Sequence, residues 1–133
     1  MNLIELARKL RPLIEKAAQS LDDKDASTAV ELYGHMKYDG ALIKSGTKIS
    51  WNGEVKKAAV DLWDTETNNP TNAQALWEDL AFKDGYRLIP AVITAAGAFD
   101  LYEIGWWQGE KFKSLLSANT YTPEQYPLGW EKL

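Results

Sequence analysis

A short pattern built around tryptophan and glycine occurs twice in the chain. Residues 51–54 read Trp-Asn-Gly-Glu, and residues 107–110 read Trp-Gln-Gly-Glu. A proline follows each copy. Seven residues after that proline, a further tryptophan opens the sequence Trp-Glu-x-Leu, at Trp77 in the first copy and at Trp130 in the second. Two anchors of the same kind in the same order are hard to obtain by chance, so the pattern predicts an internal duplication.

Each copy is predicted to begin with a β-hairpin. Residues 52–53 (Asn-Gly) are typical of a type I′ turn, because both turn positions need positive φ, and residues 108–109 (Gln-Gly) are the weaker counterpart. A two-residue turn places Phe112 opposite Gly105 in the second hairpin. We expect each closing tryptophan to pack on its hairpin sheet. Between the copies, residues 82–90 are predicted to form a turn that leads into a short strand.

The residues before the repeats are predicted to be helical. Apolar residues recur there at alternating spacings of four and three, at Leu3, Ala7, Leu10, Ile14, Ala17 and Leu21. Pro12 lies inside this pattern and predicts a kink or a restart of the helix. Thr28, followed by Glu31, resembles a capping box for a second helix that ends near Tyr33.

The predicted fold class is therefore α+β. An N-terminal helix or helix pair occupies residues 1–40, and two small antiparallel three-stranded β modules related by duplication occupy residues 41–81 and 82–133.

Composition argues against several classes of function. A net charge of −4 gives no electrostatic footprint for nucleic acid, and the absence of cysteine removes thiolate metal sites and cysteine nucleophiles. We interpret the acidic residues between positions 61 and 66 as a solvated loop, in preference to paired catalytic carboxylates or a calcium site. We expect no enzyme, catalytic residue, cofactor, metal site or nucleic-acid partner. No signal peptide and no membrane insertion are expected either.

The first repeat resembles the small chitin-binding type of carbohydrate-binding module, family five/twelve. The residues that carry this resemblance are Leu42, Gly46, Thr47, Ile49, Trp51, Gly53, Pro70, Leu76 and Trp77. The helix, the tandem modules and the ending from Tyr121 to Trp130 also resemble proteins of phage and prophage tail regions. The module resemblance covers roughly residues 41–80 and 86–132. It implies compact three-stranded β units that recognise carbohydrate and have no catalysis of their own.

The sequence also departs from the family pattern. Thr47 replaces the expected acid, Lys56 replaces an aromatic residue, and Asn68 replaces the tryptophan of the Trp-x-Pro motif. The second copy has aromatic residues, Phe112 and Tyr121, at the positions that correspond to Lys56 and Asn68. A surviving sugar site is therefore expected in the second copy.

A sugar ring presents an apolar C–H face that stacks on an exposed aromatic ring, while neighbouring polar side chains bind its hydroxyl groups. Trp106 and Trp107 are adjacent on a strand and point to opposite faces, and since Trp107 aligns with the core position Trp51, Trp106 should face outward. The predicted carbohydrate-binding residues are Trp106, Tyr121, Trp63 and Asn119. Packing between the two modules is the alternative role for the exposed aromatic residues.

The leading hypothesis is a non-enzymatic, tail-associated structural protein of a phage or prophage that binds polysaccharide or cell-surface glycan. It would contact other tail proteins, and it would be located in the virion tail or, before assembly, in the host cytoplasm. One alternative is an accessory module of a secreted glycosidase system, and another is a purely structural oligomerisation protein without sugar binding.

The apolar stripe of the N-terminal helix must be buried, either on the first module or against other copies of the chain. We predict a homo-oligomer held by residues 3–21. The resemblance to tail proteins favours a trimer over a dimer, because three-fold symmetry is common in tail fibres.

Overall fold

The structure is a computed structural model that describes residues 2–133. The chain divides into two compact units, the first ending at Leu80 and the second comprising Ala81–Leu133. The predicted α+β class is confirmed, because helices at the N-terminus are followed by short, mainly antiparallel strands. The N-terminal helices belong to the first unit. Within the described residues, no helix has the length and apolar character needed to cross a membrane.

Helix α1 (Leu3–Ala18) begins at Asn2, whose side-chain oxygen accepts a hydrogen bond of 2.8 Å from the Glu5 N–H. The helix continues through Pro12 without interruption, so the predicted restart is wrong. Pro12 removes only one backbone donor, and Arg8, whose carbonyl group loses that donor, is exposed to water.

Helix α2 (Asp23–Ser27) begins earlier than the capping-box prediction placed it. Asp22 caps it by accepting a 2.8 Å hydrogen bond from the Asp25 N–H, and Thr28 lies at its C-terminal end instead of its start. A 3₁₀ helix, Val30–Leu32, follows. Asp22, Asp23 and Asp25 thus lie at the start of α2, where the N-terminal end of a helix favours negative charge.

The first unit contains two antiparallel sheets. One pairs β1 (Leu42–Ile43) with β4 (Leu62–Trp63), and the other has the order β2 (Lys48–Trp51), β3 (Glu54–Ala58), β5 (Trp77–Asp79). The predicted hairpin is confirmed: Asn52 and Gly53 have φ values of 49° and 79°. The strand pairing on either side follows the expected register, with Trp51 opposite Glu54.

Two apolar clusters form the core of the first unit. Buried members of the first cluster are Ala18, Ala26, Tyr33, Val55 and Leu80; those of the second are Ile49, Ala58, Leu62 and Trp77. The fully buried Tyr33 links the helices to the rest of the first cluster, because its hydroxyl group donates a 2.7 Å hydrogen bond to the Ala18 carbonyl oxygen.

Stability of the first unit is expected to fall at alkaline pH because of Tyr33. Burial, followed by the negative charge of Asp23, raises the pKa of Tyr33 above its ordinary value of 10.0. The folded pKa therefore exceeds the unfolded pKa. The phenol contributes fully to the free energy of unfolding below pH 10, and this contribution is lost as the pH rises through the folded value.

Replacement of Tyr33 by phenylalanine should cost roughly 0.5–1.5 kcal/mol at neutral pH, because it removes one buried hydrogen bond while the Ala18 carbonyl oxygen keeps its 3.1 Å bond from the Leu21 N–H. Above pH 10 the difference between the two proteins should shrink. Urea unfolding between pH 7 and pH 11 measures the difference in unfolding free energy between the two proteins. A difference that stays constant over this pH range would contradict the prediction.

The second unit is built on one mixed sheet. Its strands are β6 (Phe82–Lys83), β7 (Tyr86–Leu88), β8 (Ile104–Trp107), β9 (Glu110–Ser114) and β10 (Trp130–Lys132), in the order β10-β9-β8-β7-β6. The turn at Gln108 and Gly109 has φ values of 50° and 79°, and Phe112 lies opposite Gly105, as predicted.

The five-stranded sheet differs from the predicted three-stranded module. The additional strands form a hairpin over residues 82–88, which joins the sheet through a parallel pairing of β7 with β8, with Arg87 opposite Gly105. A parallel pairing requires a crossover connection, here residues 89–103, and no local sequence pattern specifies its partner.

Gly105 allows the core to approach this sheet closely. A Cβ atom at position 105 would lie 2.7 Å from Ile89 Cγ1 and 2.8 Å from Phe99 Cε2. The buried core beneath comprises Ile89, Ile93, Phe99 and Trp130. The guanidinium carbon of Arg87 lies 3.9 Å from the centre of the Phe99 ring, and its Nε–H donates to a Glu103 carboxylate oxygen at 2.7 Å.

The tryptophan that opens the last strand of each unit makes the same hydrogen bond in both units. The indole N–H of Trp77 donates to the Asn68 carbonyl oxygen, and that of Trp130 donates to the Tyr121 carbonyl oxygen, both at 2.7 Å and both nine residues back along the chain. Each tryptophan follows a 3₁₀ turn and opens the last strand. Both are buried, with 7% and 5% exposure.

Candidate functional site

A groove on the first unit brings aromatic and polar side chains together. It encloses about 600 Å³ and lies along one end of the β2–β3–β5 sheet, facing the segment that begins at Pro70. Its lining residues are Trp51, Asn52, Glu54, Lys56, Pro70, Thr71, Gln74, Trp77 and Asp79. We call this the Trp51 groove.

Trp51 forms the aromatic wall of the groove. It is half-buried, since one part of it packs against the second core cluster, and its Nε1–H donates to the Thr71 hydroxyl group at 3.2 Å. The segment that contains Thr71 is held by the buried Asn69, whose side-chain oxygen accepts hydrogen bonds from the N–H groups of Thr71 (3.1 Å) and Asn72 (2.8 Å). Trp51 and Thr71 therefore line the groove in fixed positions.

Three charged residues line the groove: Glu54, Lys56 and Asp79. Lys56 Nζ is hydrogen-bonded to Asp79 and lies 3.5 Å from a Glu54 carboxylate oxygen. Burial alone would lower the pKa of Lys56, but the hydrogen bond and charge of Asp79, with those of Glu54, outweigh it and raise the pKa above its usual value. Lys56 is thus protonated at neutral pH, and the trio carries one net negative charge.

This arrangement suits recognition of a neutral, hydroxyl-rich ring. The indole of Trp51 offers an apolar surface, and the exposed side chains of Asn52 and Gln74 offer amide donors and acceptors. Carboxylate oxygens of Glu54 and Asp79 can accept hydrogen bonds from hydroxyl groups. Within residues 2–133 no group of three or more His, Asp or Glu side chains is arranged to hold a metal ion.

Of the predicted carbohydrate-binding residues, Asn119 has an internal position. It is 1% exposed, its amide donates to Ser114 Oγ and to the Gly129 carbonyl oxygen, each at 3.1 Å, and its oxygen accepts from the Tyr121 N–H at 3.0 Å. Ser114 is the last residue of β9, and Tyr121 and Gly129 belong to the segment between β9 and Trp130. Asn119 therefore organises this segment and does not reach a ligand at the surface.

The predicted aromatic residues lie at the surface, Trp63 in the first unit and Trp106 and Tyr121 in the second. Tyr121 is 52% exposed and packs edge-on against Tyr126, with ring centres 5.7 Å apart. Trp106 is partly exposed in the second unit, and Trp63, which is 60% exposed, lies on β4 of the first unit outside the Trp51 groove.

Sequence reasoning assigned Trp51 to the core and regarded Lys56 as a loss of binding. The structure places Trp51 on both the core and the groove, and it places Lys56 between two acids. The signal that could have found the groove is the register of the hairpin, because Glu54 and Lys56 occupy alternate positions on one strand and share a face. Gln74 and Asp79 have no sequence signal, since Gln74 lies in the 3₁₀ turn before β5 and Asp79 lies opposite Lys56 through the pairing of β5 with β3.

No protein-family model matches this chain, and no curated protein sequence is significantly similar to it.

Proposed function

We propose that the protein is a non-enzymatic structural protein of a phage or prophage tail, and that it binds carbohydrate through its β units. The observation that supports carbohydrate binding is the Trp51 groove, which combines an indole surface with amide and carboxylate groups in fixed positions. The location in a virion tail rests on the sequence resemblance alone.

We also propose that the two β units arose by duplication. The support is the shared closing segment, in which Trp77 and Trp130 make the same 2.7 Å hydrogen bond to a carbonyl oxygen nine residues earlier. The two hairpin turns agree as well, with positive φ at both positions in each. The additional hairpin over residues 82–88 is then an extension of the second unit.

Neutral chito-oligosaccharides should bind the Trp51 groove weakly, with a dissociation constant in roughly the millimolar range, because a shallow groove buries little of the sugar and ordering the sugar costs free energy. Chemical-shift titration with chitotetraose measures this binding. The indole N–H signal of Trp51 should move, since the indole forms one wall of the groove.

Two tryptophan variants of the first unit provide a matched test. Replacing Trp51 with alanine should weaken chitotetraose binding at least tenfold, which corresponds to about 1.4 kcal/mol. Replacing Trp63 with alanine removes the same side chain outside the groove and should leave binding unchanged. Circular dichroism establishes that both variants are folded. Equal binding by the Trp51 and Trp63 variants would overturn the assignment of the groove.

A structural role in self-association is the second candidate function, and the exposed face of α1 favours it. Leu3, Ile4 and Leu13 are 84%, 64% and 59% exposed, and Ala18 at the end is the one described residue of α1 that is buried. Folding back on the first unit therefore covers the C-terminal end of the stripe only. We propose that a second and a third copy of the chain cover the remainder, and that other tail proteins contact this assembly.

A further inference from the structure

Two lysine side chains converge on one tryptophan ring on a face of the second unit. Trp106 lies on β8 between β7 and β9, directly opposite Leu88 and Lys111. Lys83 Nζ is 4.8 Å from the centre of the Trp106 ring, and Lys111 Nζ is 5.4 Å from it. Lys111 Nζ is also 5.4 Å from the ring of Tyr86. We call this surface the Trp106 face.

The orientation of the Trp106 indole is fixed by the backbone. Its Nε1–H donates a 2.7 Å hydrogen bond to the Lys83 carbonyl oxygen, so the ring lies toward β6. Trp107, its neighbour, points to the opposite side and packs on the buried core of this unit. A ring held in one orientation loses little conformational entropy when a ligand stacks on it.

The two lysines have no acidic partner among the described residues, which distinguishes them from other lysines of the same sheet. Lys113 lies 3.8 Å from a Glu131 carboxylate oxygen, and Lys132 lies 3.0 Å from one of Glu110. No salt bridge within residues 2–133 involves Lys83 or Lys111. A protein of net charge −4 thus leaves two unneutralised cations beside one aromatic surface.

We propose that the Trp106 face binds an anionic sugar unit, with the apolar face of the sugar on the indole and its acidic group between Lys83 and Lys111. This inference rests on the proposed carbohydrate binding and adds a second site with a different ligand class. In the absence of ligand, the ammonium groups interact with the ring face. A carboxylate or phosphate group is a stronger partner for an ammonium group than an aromatic ring, so the flexible lysine stems release the ring to the sugar.

The test compares three probes on the intact chain: tetragalacturonate, which carries carboxylates on sugar rings, glucose 6-phosphate, which carries a phosphate group on a sugar ring, and neutral chitotetraose. The indole N–H signal of Trp106 reports binding. One of the two anionic probes should shift this signal, and its binding should weaken when the salt concentration is raised from 50 to 500 mM, as expected for a charge–charge contact at the surface. Which anionic probe binds identifies the acidic group.

Lysine-to-methionine variants keep the aliphatic stem and remove the charge. Lys83→Met and Lys111→Met should each weaken binding of the anionic probe about three- to tenfold, because each removes one of the two charge-assisted contacts. Lys113→Met is the matched control, since Lys113 lies on the same sheet beside Glu131 and its replacement should leave the affinity unchanged.

Each failure has a separate meaning. If chitotetraose binds the Trp51 groove and neither anionic probe shifts the Trp106 signal, this inference is overturned and the proposed function stands. If none of the three probes binds, both are overturned. Equal weakening by Lys113→Met and Lys111→Met would indicate general charge attraction and also overturn the inference. If a single-stranded oligonucleotide binds more tightly than the anionic sugars, and this binding depends on Lys83 and Lys111, the face belongs to a different class of ligand. This outcome would also overturn the inference.

Discussion

Replacement of Trp130 by alanine is expected to destabilise the second unit by roughly 3–5 kcal/mol, the usual cost of truncating a large buried aromatic side chain. Trp130 is 5% exposed, packs edge-on against Phe99 with ring centres 5.3 Å apart, and donates the hydrogen bond that holds the Tyr121 carbonyl group. The alanine variant loses all of these contacts at once. Replacement of Trp77 should have an effect of the same size on the first unit.

The proposed duplication makes a sharper prediction about where each effect appears. Trp77→Ala should increase amide hydrogen exchange in residues 41–80, and Trp130→Ala should increase it in residues 86–132, since each tryptophan closes the sheet of its own unit. Phenylalanine variants provide the control. They keep a smaller aromatic ring and lose the indole N–H, so each should cost the hydrogen bond, roughly 0.5–1.5 kcal/mol, plus the small cavity that the missing part of the indole leaves, and less than the alanine variant in total.

Hydrogen exchange followed by mass spectrometry measures both variants in the same way. If one alanine variant increases amide exchange strongly and the other only weakly, the two tryptophans do not have equivalent roles. This result would weaken the proposal of duplication. Equal effects with equal phenylalanine controls would support it.

The parts of the fold that the sequence predicted are those determined by neighbouring residues. Both hairpin turns need positive φ at two successive positions, and Asn52-Gly53 and Gln108-Gly109 supply residues that tolerate it. Once the turn is fixed, the register follows, which is why Gly105 was correctly placed opposite Phe112. The outward direction of Trp106 and the core direction of Trp107 follow from the alternation of a strand.

The parts that the sequence did not predict depend on contacts between distant residues. The parallel pairing of Leu88 with Trp106 has no local signal, so the five-stranded sheet was missed. Asn119 is a polar residue in a loop, which usually indicates a surface position, yet its amide is buried because the loop closes over it. Likewise, a lysine in place of an aromatic residue at position 56 suggested a lost site, because the sequence does not show that Asp79 lies beside it.

Self-association through α1 should depend on the apolar stripe and not on the charge of the helix. Leu10 belongs to the stripe and is 40% exposed, so its replacement by glutamate leaves the fold of the single chain largely undisturbed. In an oligomer, the same glutamate would be buried in an apolar interface without a partner. The Leu10→Glu variant should therefore be monomeric at concentrations at which the unmodified chain is associated.

The matched control is Lys9→Glu, which introduces the same residue one position earlier, outside the apolar stripe. It should remain associated. Burying a leucine or isoleucine side chain contributes roughly 1.5–3 kcal/mol, and several such side chains per helix are enough to hold an assembly at micromolar concentration. Multi-angle light scattering on the three proteins gives their masses. We expect three times the 15.0 kDa chain mass for the unmodified chain and for Lys9→Glu, and one times that mass for Leu10→Glu. Two outcomes contradict self-association through this stripe: an unmodified chain that is monomeric at all concentrations, or a Leu10→Glu variant that associates as strongly as the control.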